Sequence, residues 1–78
     1  MPTLYYYDSL RIEMRPREAG HNIPHVHAMY HGQEVAIDFD GNIIVGRIER
    51  QKQDIAQTWV LKNKEMLIRK WKEMRGHV

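Results

Sequence analysis

Histidine is the side chain whose ordinary titration falls near neutral pH, and its ring nitrogens are frequent metal ligands. Four of this chain's five histidines, His21, His25, His27 and His31, fall within eleven consecutive residues. From His25 to Tyr30 apolar and polar residues alternate, so His25 and His27 share one strand face and Val26, Ala28 and Tyr30 the other. If His31-Gly32 is a two-residue turn, Tyr30 faces Gln33, Ala28 faces Val35 and Val26 faces Ile37, all on the apolar face. On the opposite face His27 then lies across from Ala36, and His25 across from Asp38. A one-residue slip would mix the faces, so the pattern selects this register. Cross-strand neighbours touch at this spacing, which places Asp38 to accept a hydrogen bond from His25 and set its tautomer.

Three chemistries suit such a group. His25, His27 and Asp38 are candidate acid–base residues, and a His–Asp pair that exchanges protons near neutral pH would serve phosphodiester cleavage of RNA. His21, His25 and His27 are candidate ligands for a divalent metal such as zinc, with nickel and iron also compatible. The third role is structural: imidazoles on a strand face, paired with a carboxylate and carrying out no reaction.

The elements that position these residues follow from hydrophobic period, which changes once, near residue 50, from two to about 3.6. Leu10, Ile12 and Met14 alternate with Arg11, Glu13 and Arg15 in a half-buried strand that Pro16 stops. Thr3 to Tyr7 is rich in strand formers and is either a short strand of its own or the lead-in to this one. Residues 17–24 contain Gly20, Asn22 and Pro24 and read as a loop. Gln33 to Phe39 is the partner of the histidine strand. Asp40-Gly41-Asn42 is a hairpin turn, and Ile43 to Ile48 a further strand with Gly46 as a bulge or close-packing point. Ile55, Ala56, Trp59 and Val60 form a helical stripe over about 51–62. Leu67, Ile68, Trp71 and Met74 form another over about 64–75. Asn63 is placed as an N-cap between the two and Gly76 as a stop, with one bent helix as the alternative.

The chain has 78 residues, enough for one domain with a small core. It has no cysteine, which excludes disulfides and thiolate metal sites and fits a reducing compartment. No apolar run approaches the length of a membrane span, and the first residues lack the pattern of a secretory signal. Residues 1–42 carry three Arg against six Asp or Glu, and residues 43–78 nine Lys or Arg against four. The basic helical end would attract RNA or an acidic protein, with Arg69, Lys70, Lys72 and Arg75 as the contacts. A solvated helix face, with Glu65 pairing Arg69 at i,i+4, is the alternative for the same residues. Tyr5, Tyr6 and Tyr7 fit an edge strand, base stacking or a dimer contact; Trp59 and Trp71 fit core. The chain contains no glycine-rich phosphate loop, nucleophile elbow, zinc-finger spacing or helix-turn-helix signature.

Met1-Pro2-Thr3, Leu10-Arg11-Ile12-Glu13-Met14 and His21-Asn22-Ile23-Pro24-His25-Val26-His27-Ala28 together resemble a bacterial family, domain of unknown function 4160. The family pattern runs from a His through prolines to His-aromatic-His-Ala. It continues with a Gly turn, a strand like Glu34 to Asp38, another Gly turn and two helices with a tryptophan near Trp71. The resemblance covers nearly the whole chain. Ile23 stands where proline is usual, Val26 where Phe is usual and Gly20 where Asp is frequent. The resemblance implies that His21, His25 and His27 matter, without implying why. It also implies a small bacterial protein often encoded beside a second small protein, an arrangement like a toxin–antitoxin pair.

The resulting expectation is a single α+β domain over residues 1–78. About four antiparallel β-strands (about 3–48) precede two C-terminal α-helices (about 51–75) packed on one face of the sheet. The covered face should hold Val26, Ala28, Val35, Ile37, Phe39 and Ile44. The expected function is that of a cytoplasmic toxin–antitoxin-type module. It would bind a protein partner encoded nearby, and RNA, through the basic helical end and the histidine face. The alternatives are a divalent-metal-binding module and a plain interaction domain with structural histidines. A homodimer is compatible with each, and no reaction follows from the residues alone.

Overall fold

Strand-forming alternation in the first part of the chain and amphipathic stripes in the second become a sheet with helices on one face. The computed structural model describes residues 3–15 and 23–75. Five strands, β1 (Thr3–Tyr7), β2 (Leu10–Glu13), β3 (His25–Tyr30), β4 (Gln33–Asp38) and β5 (Ile43–Arg47), precede helices α1 (Arg50–Lys62) and α2 (Lys64–Arg75). Every strand pairs antiparallel with its sequence neighbour, in the spatial order β1-β2-β3-β4-β5.

The sheet therefore has five strands where about four were expected, because Thr3–Tyr7 is a strand of its own. It joins β2 through Asp8 and Ser9, both in the left-handed region at φ 51° and 69°. Positive φ at both central residues is the twist that a two-residue hairpin needs. His31 (φ 47°) and Gly32 (φ 81°) make the same kind of turn between β3 and β4. The register there is the expected one, from Tyr30↔Gln33 to His25↔Asp38.

The core joins Leu10, Ile12, Val26, Ala28, Val35 and Ile37 of the sheet to Ala56, Val60, Leu67 and Trp71 of the helices. Phe39 belongs to it, whereas Ile44 is only half-buried. The reason is a bulge: Ile37 pairs with Ile43 and Ala36 with Val45, so Ile44 is the extra residue. Gly46 sits two residues beyond the bulge at φ 88°, and a Cβ there would overlap the Glu34 carbonyl oxygen.

Two helices form, not one bent helix, and Asn63 divides them in an unexpected way. Its Nδ2 donates to the Trp59 carbonyl at 2.8 Å, and its backbone N–H reaches Trp59 and Val60. The side chain thus closes the end of α1, while the Asn63 carbonyl accepts the first bond of α2 from Leu67. At the start of α1, Glu49 accepts from the Lys52 N–H and Gln53 from the Ile48 N–H. The helices are tied to the β4–β5 turn by Gln57 donating to the Gly41 carbonyl at 2.8 Å and by a Lys64–Asp40 ion pair. At the opposite turn, Lys52 donates to the Asp8 carboxylate at 2.6 Å. No helix among the described residues is long and apolar enough to cross a membrane.

Two outcomes follow from these turns. Gly46→Ala should cost more than Gly32→Ala in urea denaturation. The second site has positive φ but open space and should lose about 1 kcal/mol, whereas the first adds a backbone clash and should lose about 3 kcal/mol. Equal losses would remove the Glu34 contact from the account. The hydrogen bond and charge of Lys52 hold the Asp8 carboxyl below the ordinary carboxylate range. A depressed folded value means that this contribution is present above the unfolded value of about 3.9 and is lost as pH falls through the folded one. NMR titration should show the Asp8 midpoint rising in Lys52→Met; an unchanged midpoint would exclude the pair in solution.

Candidate functional site

β3 is the middle strand, and all of its first four residues are buried, His25 and His27 included. His25 is 0% exposed, His27 4% and Glu13, which lies directly across from His27 on β2, 6%. Polar groups in such a place require partners, since burial without them costs several kcal/mol. The Nδ1 of His25 lies 2.6 Å from the Ile23 carbonyl oxygen, which only accepts, so Nδ1 carries the proton. The Nδ1 of His27 lies 2.7 Å from Glu34 Oε2 and donates to the carboxylate. The rings meet edge to face at 5.0 Å, and Trp71 of α2 packs against His25 at 5.6 Å and against Phe39 at 5.9 Å. One tryptophan thus touches both the apolar core and the histidine pair.

Arg15 extends the network. Its Nε donates to Glu13 Oε1 at 2.7 Å and one terminal nitrogen donates to Glu34 Oε2 at 3.1 Å, while the other approaches the Met29 sulfur at 3.6 Å. A continuous path runs from Glu13 through Arg15 and Glu34 to His27. Partial burial opposes the Arg15 charge, but the hydrogen bonds and charges of Glu13 and Glu34 outweigh it and raise the guanidinium above its ordinary value.

The sequence-derived candidates separate in space. His25 and His27 come together as expected. Asp38 faces His25 in register, yet its Oδ1 accepts from the backbone N–H groups of Asp40 and Asn42, each at 2.9 Å. The expected His25–Asp38 hydrogen bond is therefore replaced by His25–Ile23, because the Asp38 carboxylate folds the following turn. His21 lies outside the described residues. His31 is in the hairpin turn, stacked on Tyr30 at 4.0 Å. Among the described residues no group of three or more His, Cys, Asp or Glu side chains is arranged to hold a metal ion. Arg69, Lys70 and Lys72 are exposed on α2, and Arg75 is its last residue.

Sequence reasoning missed Glu13, Arg15 and Glu34. Glu34 pairs in register with Met29, not with His27, and reaches the imidazole along the diagonal, a contact open to long side chains. Glu13 was accessible through alternation: once β2 is paired with β3, it must share the histidine face.

Removing Arg15 takes the close, hydrogen-bonded cation from the buried Glu13 carboxylate and leaves it only the more exposed Arg11, 3.9 Å away. Arg15→Met should therefore cost about 3 kcal/mol in chemical denaturation, and the cost should shrink in a Glu13→Gln background. A loss below about 1 kcal/mol, of the size of a surface pair, would show that the clamp does not support the sheet.

The family model of a domain of unknown function (DUF4160) matches residues 10–72, which span β2 through most of α2 and so include the histidine pair, its carboxylates and Trp71. Neither the curated proteins nor the solved structures contain a match. By this match over most of its length, the chain belongs to the family of domain of unknown function 4160.

Proposed function

We propose that this domain is a toxin–antitoxin-type module that works by binding a partner protein through its basic helical end, with the histidine cluster as the rigid support of the sheet beneath it. The observation that carries this reading is the state of the α2 cations. Arg69, Lys70 and Lys72 are exposed, and none has an ion pair among the described residues. The Glu65–Arg69 pair that would have made them an ordinary solvated face is absent from the same set. Uncompensated cations beside a buried, internally satisfied polar cluster favour recognition of an acidic surface over turnover of a small molecule. A bacterial, cytoplasmic setting and a partner encoded nearby belong to the same proposal.

The test is co-expression with the protein encoded beside it, followed by size-exclusion chromatography with light scattering. The expected result is a heteromeric complex that salt weakens and that Arg69→Glu/Lys70→Glu/Lys72→Glu abolishes while the circular dichroism spectrum is retained. A chain that elutes alone, or only as a homodimer, overturns the reading. RNA binding through the same cations is the competing outcome, recognised by complex formation with RNA but not with the protein.

A further inference from the structure

α1 packs over β3 and β4, and one flank of it reaches toward the edge strand β1 at two points. Lys52 near its start reaches Asp8 just beyond the strand, and Trp59 further along meets Tyr5 at 5.4 Å between ring centres. Between them lies a groove of about 330 Å³ lined by Tyr5, Asp54, Ile55, Thr58, Trp59 and Lys62. The five helix residues recur at helical spacing and form one stripe facing the groove. Its walls are unlike in kind. One is Tyr5 of β1, an edge strand, and such a strand keeps half of its backbone N–H and C=O groups turned away from the sheet. The other is a helix face with an apolar middle and a charge at each end.

Such a pair of walls selects an extended chain. A strand laid beside β1 satisfies the outward backbone groups, and its alternate side chains enter the apolar middle. The two ends of the groove differ in charge state. Asp54 is shared with Arg50 at 3.7 Å, whereas Lys62 has no ion pair among the described residues. Lys62 and Arg69 also line a neighbouring depression at the α1–α2 junction, so the positive end of the groove continues into the cations of α2. The open charge of the groove is therefore positive, and its complement is acidic.

The opposite edge of the sheet is a poorer template. β5 carries the Ile44 bulge and the left-handed Gly46, both of which interrupt regular pairing. On β1 the irregularity lies between Thr3 and Tyr5, and the stretch Tyr5 to Tyr7 pairs regularly with β2 and carries no charged residue.

We propose that the groove between β1 and α1 binds an extended acidic segment of a partner protein, which adds to the β1 edge as a further strand with an acidic side chain on Lys62. This rests on the partner-binding reading and specifies its mode. From Asp54 to Lys62 the helix rises about 12 Å, which an extended chain covers in about four residues. The bound segment thus alternates apolar residues toward Ile55 and Trp59 and carries its acidic residue at the Lys62 end.

The experiment is selection of a random dodecapeptide library on the full chain, followed by affinity measurement of the enriched peptides on variants. Thr58→Trp fills the groove and Lys62→Glu reverses its charge; both positions are exposed, and thermal melts verify that each variant is folded. The expected result is enrichment of peptides that alternate apolar residues and carry an acid. Each variant should weaken them about tenfold or more, equivalent to about 1.4 kcal/mol. Exchange of the peptide's acid for lysine should restore binding to Lys62→Glu. Amide shifts on peptide addition should concentrate in Thr3–Tyr7. Failure to enrich any peptide, or enriched peptides indifferent to both variants, overturns the groove. If the co-expressed partner still binds both variants and is lost only on reversal of the α2 charges, the groove fails while partner binding stands. If the partner binds none of the proteins, both fail.

Discussion

A strand buried on both faces has to satisfy internally every polar group that it carries. β3 is such a strand, and the second of its faces carries two histidines. The solution is a relay of donors and acceptors crossing three strands: Glu13 and Arg15 from β2 and the chain just after it, His27 from β3, Glu34 from β4. The ionised groups alternate in sign along that path, so no charge is left buried without its opposite. The arrangement also fixes positions, because a guanidinium fork holds two carboxylates in one geometry. The middle of the sheet is thereby located by polar contacts on one face and by aliphatic packing on the other.

Trp71 joins those two systems. It meets Phe39 on the apolar side and His25 on the polar side, so the placement of α2 is coupled to the histidine pair. The helix therefore displays its exposed cations from a base that the histidine network helps to set. This gives the histidines an influence on any surface that α2 presents, without requiring them to touch a ligand.

Alternation along single strands carried much of this architecture. The β3–β4 register was legible because Val26, Ala28, Val35 and Ile37 allow only one pairing that keeps the faces apart. The helices were legible from stripes that end on Asn63. Other features depended on side-chain choices that alternation does not encode. Asp8-Ser9 lacks the glycine that marks such turns, so β1 stood between two readings. Asn63 suits either helix end, and its amide went to the carbonyls behind it. Asp38 lies opposite His25 yet serves its own turn, a local bond that competes with the cross-strand one. Glu34 reaches His27 diagonally through the length of its side chain. The bulge that moves Ile44 out of the core has no marker except Gly46 nearby.

The strand order has a kinetic meaning. Because each strand lies beside its sequence neighbour, every hairpin can close before distant parts of the chain meet, and closure entropy grows only slowly with the intervening length. Short closures of this kind place a sheet toward the faster end of the range for β-rich domains. The exception is the connection from β2 to β3, the longest between strands, which is also the step that brings Glu13 and Arg15 to His27. By loop-closure entropy alone that pairing is the costliest of the four, and it is the one that assembles the buried relay.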